Sequence, residues 1–429
     1  AAPPDPPASD PADPAPAPAP AEVRSIADVT ADTPIAPVFE LFLQDKARSS
    51  WNPKSCNIAR VSLQIFRDGV GERRPAAITH RDAAVFHDTI LRLPSTFGRG
   101  RYQGLAPTAA IARADAIDAA RETPDADPVP RCGLTTVNKH MDSMHHFIAW
   151  LNAKLGWQLA DPFKAQKYSK RDIKRNRTPR RAYAAAELQA LFETPLFTGC
   201  ASEARRARPG EVVVKDALYW VPLMLAHTGA RREEICQLRL DDVVELDGVP
   251  CLAIGAHAPD QAVKTESSAR VVPLHQRLIQ LGLMDRVAGL RRAARRAPDD
   301  PDAQRLFPEL APDPTYSAYG SALSKRWTTY RRSVNMDGQS KDLHSLRHTF
   351  TTQLLNKGVP HVWLSRLVGH STVADATGTT PNEMTTDIYY DGPDIGSLKQ
   401  AVDRFDSGVR LESRDGEAQI VRTEAAAPA

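Results

Sequence analysis

The chain has 429 residues, 42% of them hydrophobic and 25% charged, with a formal net charge of +3. That length allows two or three domains with a sizeable core, and the composition is ordinary for a soluble globular protein. No apolar run approaches the roughly 18 residues of a membrane helix, and the near-balanced charge argues nothing until it is read by position.

Residues 1–34 are rich in Pro, Ala and Asp and cannot bury a core, so they are predicted to be a disordered tail. The opening stretch has neither a basic n-region nor an apolar h-region and does not read as a signal peptide. From 35 to 165 the apolar spacing is helical. PVFELFLQDKA sets Val38, Leu41 and Phe42 on one face, and NIARVSLQIFRDGV does the same with Ile58, Val61, Ile65 and Phe66. ITHRDAAVFHDTILRLP follows a threonine with Val85, Phe86 and Ile90. After a loop containing Gly98, Gly100 and Gly104, LTTVNKHMDSMHHFIAWLNAKLGW is the strongest helix, with Met141, Met144, Ile148 and Leu151 as its buried stripe. Four or five such helices make a small all-helical domain. His140, His145 and His146 are poorly spaced for one metal and read as helix polarity.

Between Lys164 and Arg181 lie nine basic residues and one acid, Asp172. Such a block is a nucleic-acid contact or a solvated linker. Its candidate DNA contacts are Lys167, Lys170, Arg171, Lys174, Arg175, Arg177, Arg180 and Arg181, on a basic linker assigned to 166–182. Two packed units joined by a basic strap suit a protein that closes around a charged polymer.

The second domain, 183–405, mixes helices with a few strands. AAAELQALF opens it, and DALYWVPLMLAHTG is apolar enough to be buried, ending at Gly229. VVELDGVPCLAI reads as a hairpin turning at Asp247-Gly248, and SARVVPL as a further strand. Helices return in HQRLIQLGL, RVAGLRRAARRA, SALSKRWTTYRRSV and HSLRHTFTTQLLNKG. Residues 406–429 are charged and Ala-rich and read as a mostly disordered tail. The expected class is mainly α, an all-helical N-terminal domain plus an α+β domain with a small antiparallel sheet. The five cysteines (Cys56, Cys132, Cys200, Cys236, Cys251) are scattered and never at CxxC spacing. That argues for reduced thiols in a cytosolic compartment and against a zinc site or disulfide framework.

Six residues of the second domain answer separate demands of cutting a phosphodiester without a metal. Transfer through a phosphodiester gathers charge on its non-bridging oxygens, and fixed cations must then stabilise it. Arginine suits this because its planar fork meets two phosphate oxygens at once. Arg231 follows a glycine break and starts a new helix, and Arg347 shares a helix face with His344 at i,i+3 spacing. Lys264, just before a tight turn into a strand, can reach a cleft as general acid for the leaving 5′-oxygen. Tyrosine is a weak nucleophile until nearby cations favour its phenolate, and Tyr389 fills that part. His344 or His370 could accept its proton or position the phosphate. A phosphotyrosine ester conserves the energy of the broken bond, so resealing needs no ATP, in keeping with the absence of a GxxxxGK[ST] motif.

This set resembles the tyrosine recombinases, the phage-type integrases. Their pattern is an arginine in TGxRxxE, a hairpin lysine, HxxR, LGH and TxxY, which appear here as TGARREE, VKTE, HSLR, VGH and TDIY. The resemblance covers 183–400, and more loosely 35–165, where TVNKHMDSMHHFIAWLNAKLGW is similar to the last helix of the family's core-binding domain. It implies that Arg231 and Arg347 bind the scissile phosphate and that Lys264 protonates the leaving oxygen. His344 would be the acid/base partner, His370 would hydrogen-bond the phosphate, and Tyr389 would form the 3′-phosphotyrosine. Glu234 and Asp241 would hold the helix of the first arginine. The resemblance further implies a C-shaped clamp on double-stranded DNA, a homotetramer around two DNA sites, accessory directionality factors as further partners, no cofactor, no membrane association, and a cytoplasmic, nucleoid-associated location.

Two departures from the family pattern stand out. The gap from His370 to Tyr389 is longer by about one short loop, STVADATGTTPNEM, and Tyr390 adjoins the expected nucleophile. A polar insertion at 197–216 precedes the apolar helix and reads as a surface loop or a DNA-contacting flap. The competing readings are a DNA clamp without catalysis and a relaxing enzyme like the type IB topoisomerases.

Overall fold

A computed structural model describes residues 23–49, 51–121, 127–176, 180–263, 268–337, 341–369, 393–414 and 416–423. The chain divides into two compact units, residues 1–177 and 178–429. The fold is mainly α, with an all-helical N-terminal unit and an α+β second unit carrying small antiparallel sheets. No helix of the described residues is long and apolar enough to cross a membrane.

The first unit contains α1 (Ile35–Ser49), α2 (Pro53–Val70), α3 (His80–Arg92), α4 (Pro107–Ala119), α5 (Leu134–Leu155) and α6 (Lys170–Asn176). Local chemistry sets their ends. Asn52 caps α2 by accepting from the Ser55 amide at 2.9 Å. Thr79 and Asp82 form a reciprocal capping box on α3, through the Asp82 amide at 3.2 Å and the Thr79 amide at 2.9 Å. The core is aromatic, with Phe39, Phe42, Phe66, Phe86, Phe147 and Phe163 fully buried. Met141, Met144, Ile148 and Leu151 form the buried stripe expected of α5. On α3, however, Val85 is exposed, because Ala83, Phe86 and Ile90 take the inward positions. Helix α4 is absent from the expectations because its apolar stripe is little more than alanine, with Ala110, Ile111 and Ala114 buried. His140 is buried against Ser62 Oγ at 2.8 Å, and His145 pairs with Asp161.

The second unit contains α7 (Ala185–Phe192), α8 (Pro195–Thr198), α9 (Ala217–Thr228), α10 (Arg232–Cys236), α11 (Gln276–Gln280), α12 (Leu283–Ala294), α13 (Gly320–Ser333), α14 (Leu343–Asn356), α15 (His361–Val368) and α16 (Ile395–Asp403). Strands β1 (Val243–Leu246), β2 (Val249–Ile254) and β3 (Arg270–Pro273) form one antiparallel sheet in that order. The β1–β2 turn carries φ +51° at Asp247 and +74° at Gly248, the pair of positive angles a type I′ hairpin needs. Every residue of α9 is buried, and α9 is the centre of this unit's core.

The C-terminal expectation is corrected. Residues Arg410–Arg414 and Glu417–Val421 form a second hairpin, β4 and β5. Ile420 and Val421 are buried, so this charged stretch has an apolar anchor that composition conceals. The 197–216 insertion is a folded loop. Cys200 and Val212 exchange backbone hydrogen bonds at 2.9 and 3.0 Å, and Arg206 pairs with Asp216, the N-cap of α9, at 2.9 Å.

Candidate active site

Three chain reversals build the site. Helix α9 ends at Gly229, whose φ of +64° suits glycine. A Cβ there would lie 2.4 Å from Phe350 Cδ1 on α14, so space and backbone both select glycine. Two residues later Arg231 caps α10 from an extended conformation, with φ −81° and ψ 150°. Helix α15 ends at Gly369 with φ +67°. The carbonyls of these turns receive the arginines. Arg347 donates to the carbonyls of Gly229 and Val368 through Nη1 and Nη2. Arg231 Nη2 donates to the Gly369 carbonyl at 3.1 Å. The two arginines expected to share a phosphate therefore converge on the same pair of turns, although 116 positions separate them in the chain (347 − 231).

Glu234 organises the cluster. Its carboxylate accepts from the Arg231 amide and from Arg231 Nη1, both at 2.7 Å, and from Arg270 Nη2 at 2.8 Å. Arg270 also donates to the carbonyls of Leu367 and Ser268, each at 2.7 Å. Burial works to raise the Glu234 pKa, but hydrogen bonding and charge from Arg270, with hydrogen bonds from Arg231, outweigh it and hold the carboxyl at about 2. Arg270 was not among the residues expected here. Its signal was an arginine at the head of an apolar strand, SARVVPL, where a buried cation must find a partner.

Three guanidinium groups against one carboxylate leave an excess of two positive charges. Arg347 registers it. Burial, then repulsion from Arg231 and Arg270, pushes its guanidinium down to about 9 despite Glu234. An arginine does not surrender its proton in a protein, so the pocket holds concentrated positive charge that an anion would relieve. Arg347 is 4% exposed while the Arg231 side chain is 27% exposed. Arg231 thus faces outward from a buried electropositive base.

His344 lies one turn before Arg347 on α14, whose N-terminus Asp342 caps by accepting from the His344 amide at 2.9 Å. Burial first, then His348, Arg347 and Arg180, depress its pKa to about 4 against the opposing pull of Asp342. The imidazole is neutral at pH 7 and can accept a proton.

Asp241 does not hold the arginine's helix. It is exposed, whereas the neighbouring Asp242 is 3% exposed and accepts from the Arg239 amide at 2.8 Å and from Gln261 Nε2 at 2.6 Å. Of two adjacent aspartates only the second points inward, and sequence offers no local basis for choosing between them. Lys264, His370 and Tyr389 lie outside the described residues, as does the adjoining Tyr390. Two residues flanking those segments do meet the cluster: Gly369 binds Arg231 as above, and Ser268 Oγ accepts from Arg231 Nη1 at 3.4 Å.

Among the basic residues, Lys170, Arg171, Lys174 and Arg175 are exposed on α6 in the first unit, and Arg181 is exposed in the second. Lys167 pairs with Asp142 at 2.5 Å and Arg180 with Asp342 at 3.3 Å. Arg177 lies outside the described residues.

Residues 212–378 match the phage integrase family, over the stretch that carries Arg231, Glu234, Arg270, His344 and Arg347. The match covers 167 residues (378 − 212 + 1), about two-fifths of the chain. The match ends 11 residues before Tyr389 (389 − 378). No curated protein matches the chain. Among solved structures, a lambda integrase (75–356) dimer bound to a COC′ core site is 12% identical, with 85% of this chain and 100% of that one covered and a TM-score of 0.48. The Tn1549 transposon integrase in complex with transposon right end DNA is 14% identical, covering 86% of this chain and 98% of that one, with a TM-score of 0.46. These likenesses are too distant to assign a role to any residue of this chain.

Proposed function

We propose that this chain is a site-specific recombinase that breaks and rejoins DNA through a 3′-phosphotyrosyl ester, without metal or ATP. The observation that carries this is the Arg231–Glu234–Arg347 cluster, in which two guanidinium groups converge on adjoining turns with excess positive charge and one of them open to solvent. Such a cluster stabilises the charge that develops on a transferring phosphoryl group. In the proposed reaction the Tyr389 phenolate attacks phosphorus and the 5′-oxygen leaves with a proton from Lys264. Neutral His344, three residues before Arg347, takes up or returns a proton at the same phosphate. Rejoining is the reverse, with a 5′-hydroxyl from another strand as nucleophile.

The duplex partner and a tetramer on two sites belong to this proposal, as does a DNA-contacting role for the basic residues at 167–181. Fragmented genomic DNA from the source organism is the first substrate. The protein is incubated with it in EDTA, denatured, and the covalent adducts recovered and sequenced. A common junction sequence is expected, with adducts absent for Tyr389→Phe. Adducts that survive Tyr389→Phe would move the nucleophile to Tyr390, and loss of adducts in EDTA would contradict metal-free chemistry.

A further inference from the structure

Helix α14 serves two parts of the second unit from two stripes. Arg347 reaches the carbonyls of Gly229 and Val368, with His344 one turn before it. Asp342, Ser345 and Thr349 follow one another at i,i+3 and i,i+4 spacing and form a separate stripe. That stripe carries residues 180–187, where the described part of the second unit begins. The Tyr183 amide donates to Thr349 Oγ1 at 2.8 Å, and the same hydroxyl donates to the Ser345 carbonyl at 2.8 Å. Thr349 and Ser345 are both buried. Ahead of the helix, Lys341 Nζ donates to Glu187 Oε2 at 2.6 Å, and Arg331 Nη1 donates to the Tyr183 hydroxyl at 3.3 Å. The chain leaving the basic linker is therefore pinned along the first two turns of the helix that bears His344 and Arg347.

Three residues before Tyr183, Arg180 Nη2 meets Asp342 Oδ2 at 3.3 Å. The other oxygen of this carboxylate, Oδ1, accepts from the amides of His344 and Ser345 at 2.9 and 3.1 Å. One carboxylate thus holds the backbone of the proposed acid/base on one oxygen and a linker cation on the other. The charged and titratable groups that face the His344 ring are His348, with ring centroids 4.8 Å apart, Arg347, Arg180 and Asp342. Asp342 is the one anion in that set, and it favours the imidazolium. Arg180 opposes it twice, by neutralising the carboxylate and by adding its own positive charge. Both side chains are about half exposed, so water screens the pair and its effect on the ring is modest.

We infer that Arg180 is a positioning residue for His344: delivered by the Tyr183–Thr349 contact, it engages the capping carboxylate of Asp342 and so couples the seat of the linker on α14 to the protonation of the imidazole. For its effect on cleavage the inference rests on the proton role proposed above for His344. The electrostatic link stands apart from that role. A purely structural ion pair would tie down the linker without bearing on a titrating ring. Here the anion that Arg180 holds is also the cap of the histidine itself.

The test uses full-length protein with its histidines isotope-labelled at Cε1, and the His344 signal is identified by its loss in His344→Gln. The ratio of imidazolium to imidazole is read at about pH 5.5, below the ordinary histidine pKa of about 6.5. Arg180→Met should raise that ratio at His344 by roughly 1.5–5-fold, the size of an exposed charge–charge interaction. Adding Asp342→Asn should return it to the wild-type value or below, since asparagine still caps a helix but carries no charge. His227, whose charged neighbours are His275 and Arg277, is the control and should not move. An unchanged ratio in Arg180→Met, an equal rise at His227, or a rise that persists in the double variant would overturn the inference. Single-turnover cleavage of a nicked duplex of the captured junction sequence then tests the reading beneath it. The acid limb of its pH profile should move to higher pH in Arg180→Met. If the ratio rises while the limb stays, the proton role of His344 falls and the link from Arg180 to the imidazole stands.

Discussion

Glu234 and Arg270 meet at 2.8 Å with side chains only 4% and 3% exposed, and the same carboxylate holds Arg231. A buried ion pair of this kind is weak support for stability in itself, but removing one partner leaves an uncompensated charge. Here it leaves three guanidinium groups with nothing between them.

Glu234→Gln is therefore expected to destabilise the protein by ~3–5 kcal/mol in urea denaturation, the usual cost of stripping one partner from a buried pair. Added sulfate should recover part of this by standing in for the carboxylate. A loss of under about 1 kcal/mol, the range of exposed pairs, would show that the cluster is well solvated. Because its pKa is about 2, Glu234 contributes stability that is fully present above about pH 4.5 and is lost as pH falls through 2. The neutral-pH measurement thus reads the whole contribution.

Gly229→Ala combines two penalties, a left-handed φ of +64° and a Cβ 2.4 Å from Phe350. Strain and overpacking of this kind cost ~2–4 kcal/mol together. The displaced carbonyl is the one that holds Arg347, so adduct formation should fall even at temperatures where the variant remains folded. Thermal melts and adduct yield on the captured duplex, measured together, check this. A fully active variant would show that the carbonyl is dispensable.

Acid should weaken the fold before any carboxylate is involved. His344 and His140 are held at about 4, mainly by burial, and buried His227 is also depressed. Unfolded histidines take up protons near pH 6.5. The unfolded state therefore binds more protons between about pH 6.5 and 4, and stability falls as pH drops through that window. Melting temperature recorded from pH 7.5 to 4.5 should show this decline, with a shallower slope for His344→Gln. Identical slopes would remove His344 from the account.

Lys170, Arg171, Lys174 and Arg175 stand exposed on α6. If each neutralises a phosphate, replacing all four with glutamine should lower the slope of log affinity against log salt by ~3–4, at about 0.9 per contact, equally for all duplex sequences. Fluorescence anisotropy between 50 and 200 mM salt measures it. An unchanged slope would reduce α6 to a spacer.

Much of this was legible in the sequence. The α5 stripe, the Thr79 cap, the Asp247-Gly248 turn and the Gly229 stop are set within a few residues by side-chain spacing and backbone freedom, and the structure repeats them. Arg231, His344 and Arg347 were also readable, because phosphoryl chemistry demands such groups, whereas Glu234 came only from the family resemblance. What composition concealed was α4, whose stripe is alanine, and the terminal hairpin, whose two buried residues sit among charges.

Only the tertiary structure could decide which polar groups face one another. Arg270 joins the site because β3 lies beside α15, and Asp242 rather than Asp241 turns inward because the chain beyond Arg239 curls against residues 255–263. Burial, partner and charge environment are properties of groups brought together from distant parts of the chain. Residue type and spacing specify what a side chain is able to do, and packing selects which of those capacities is used.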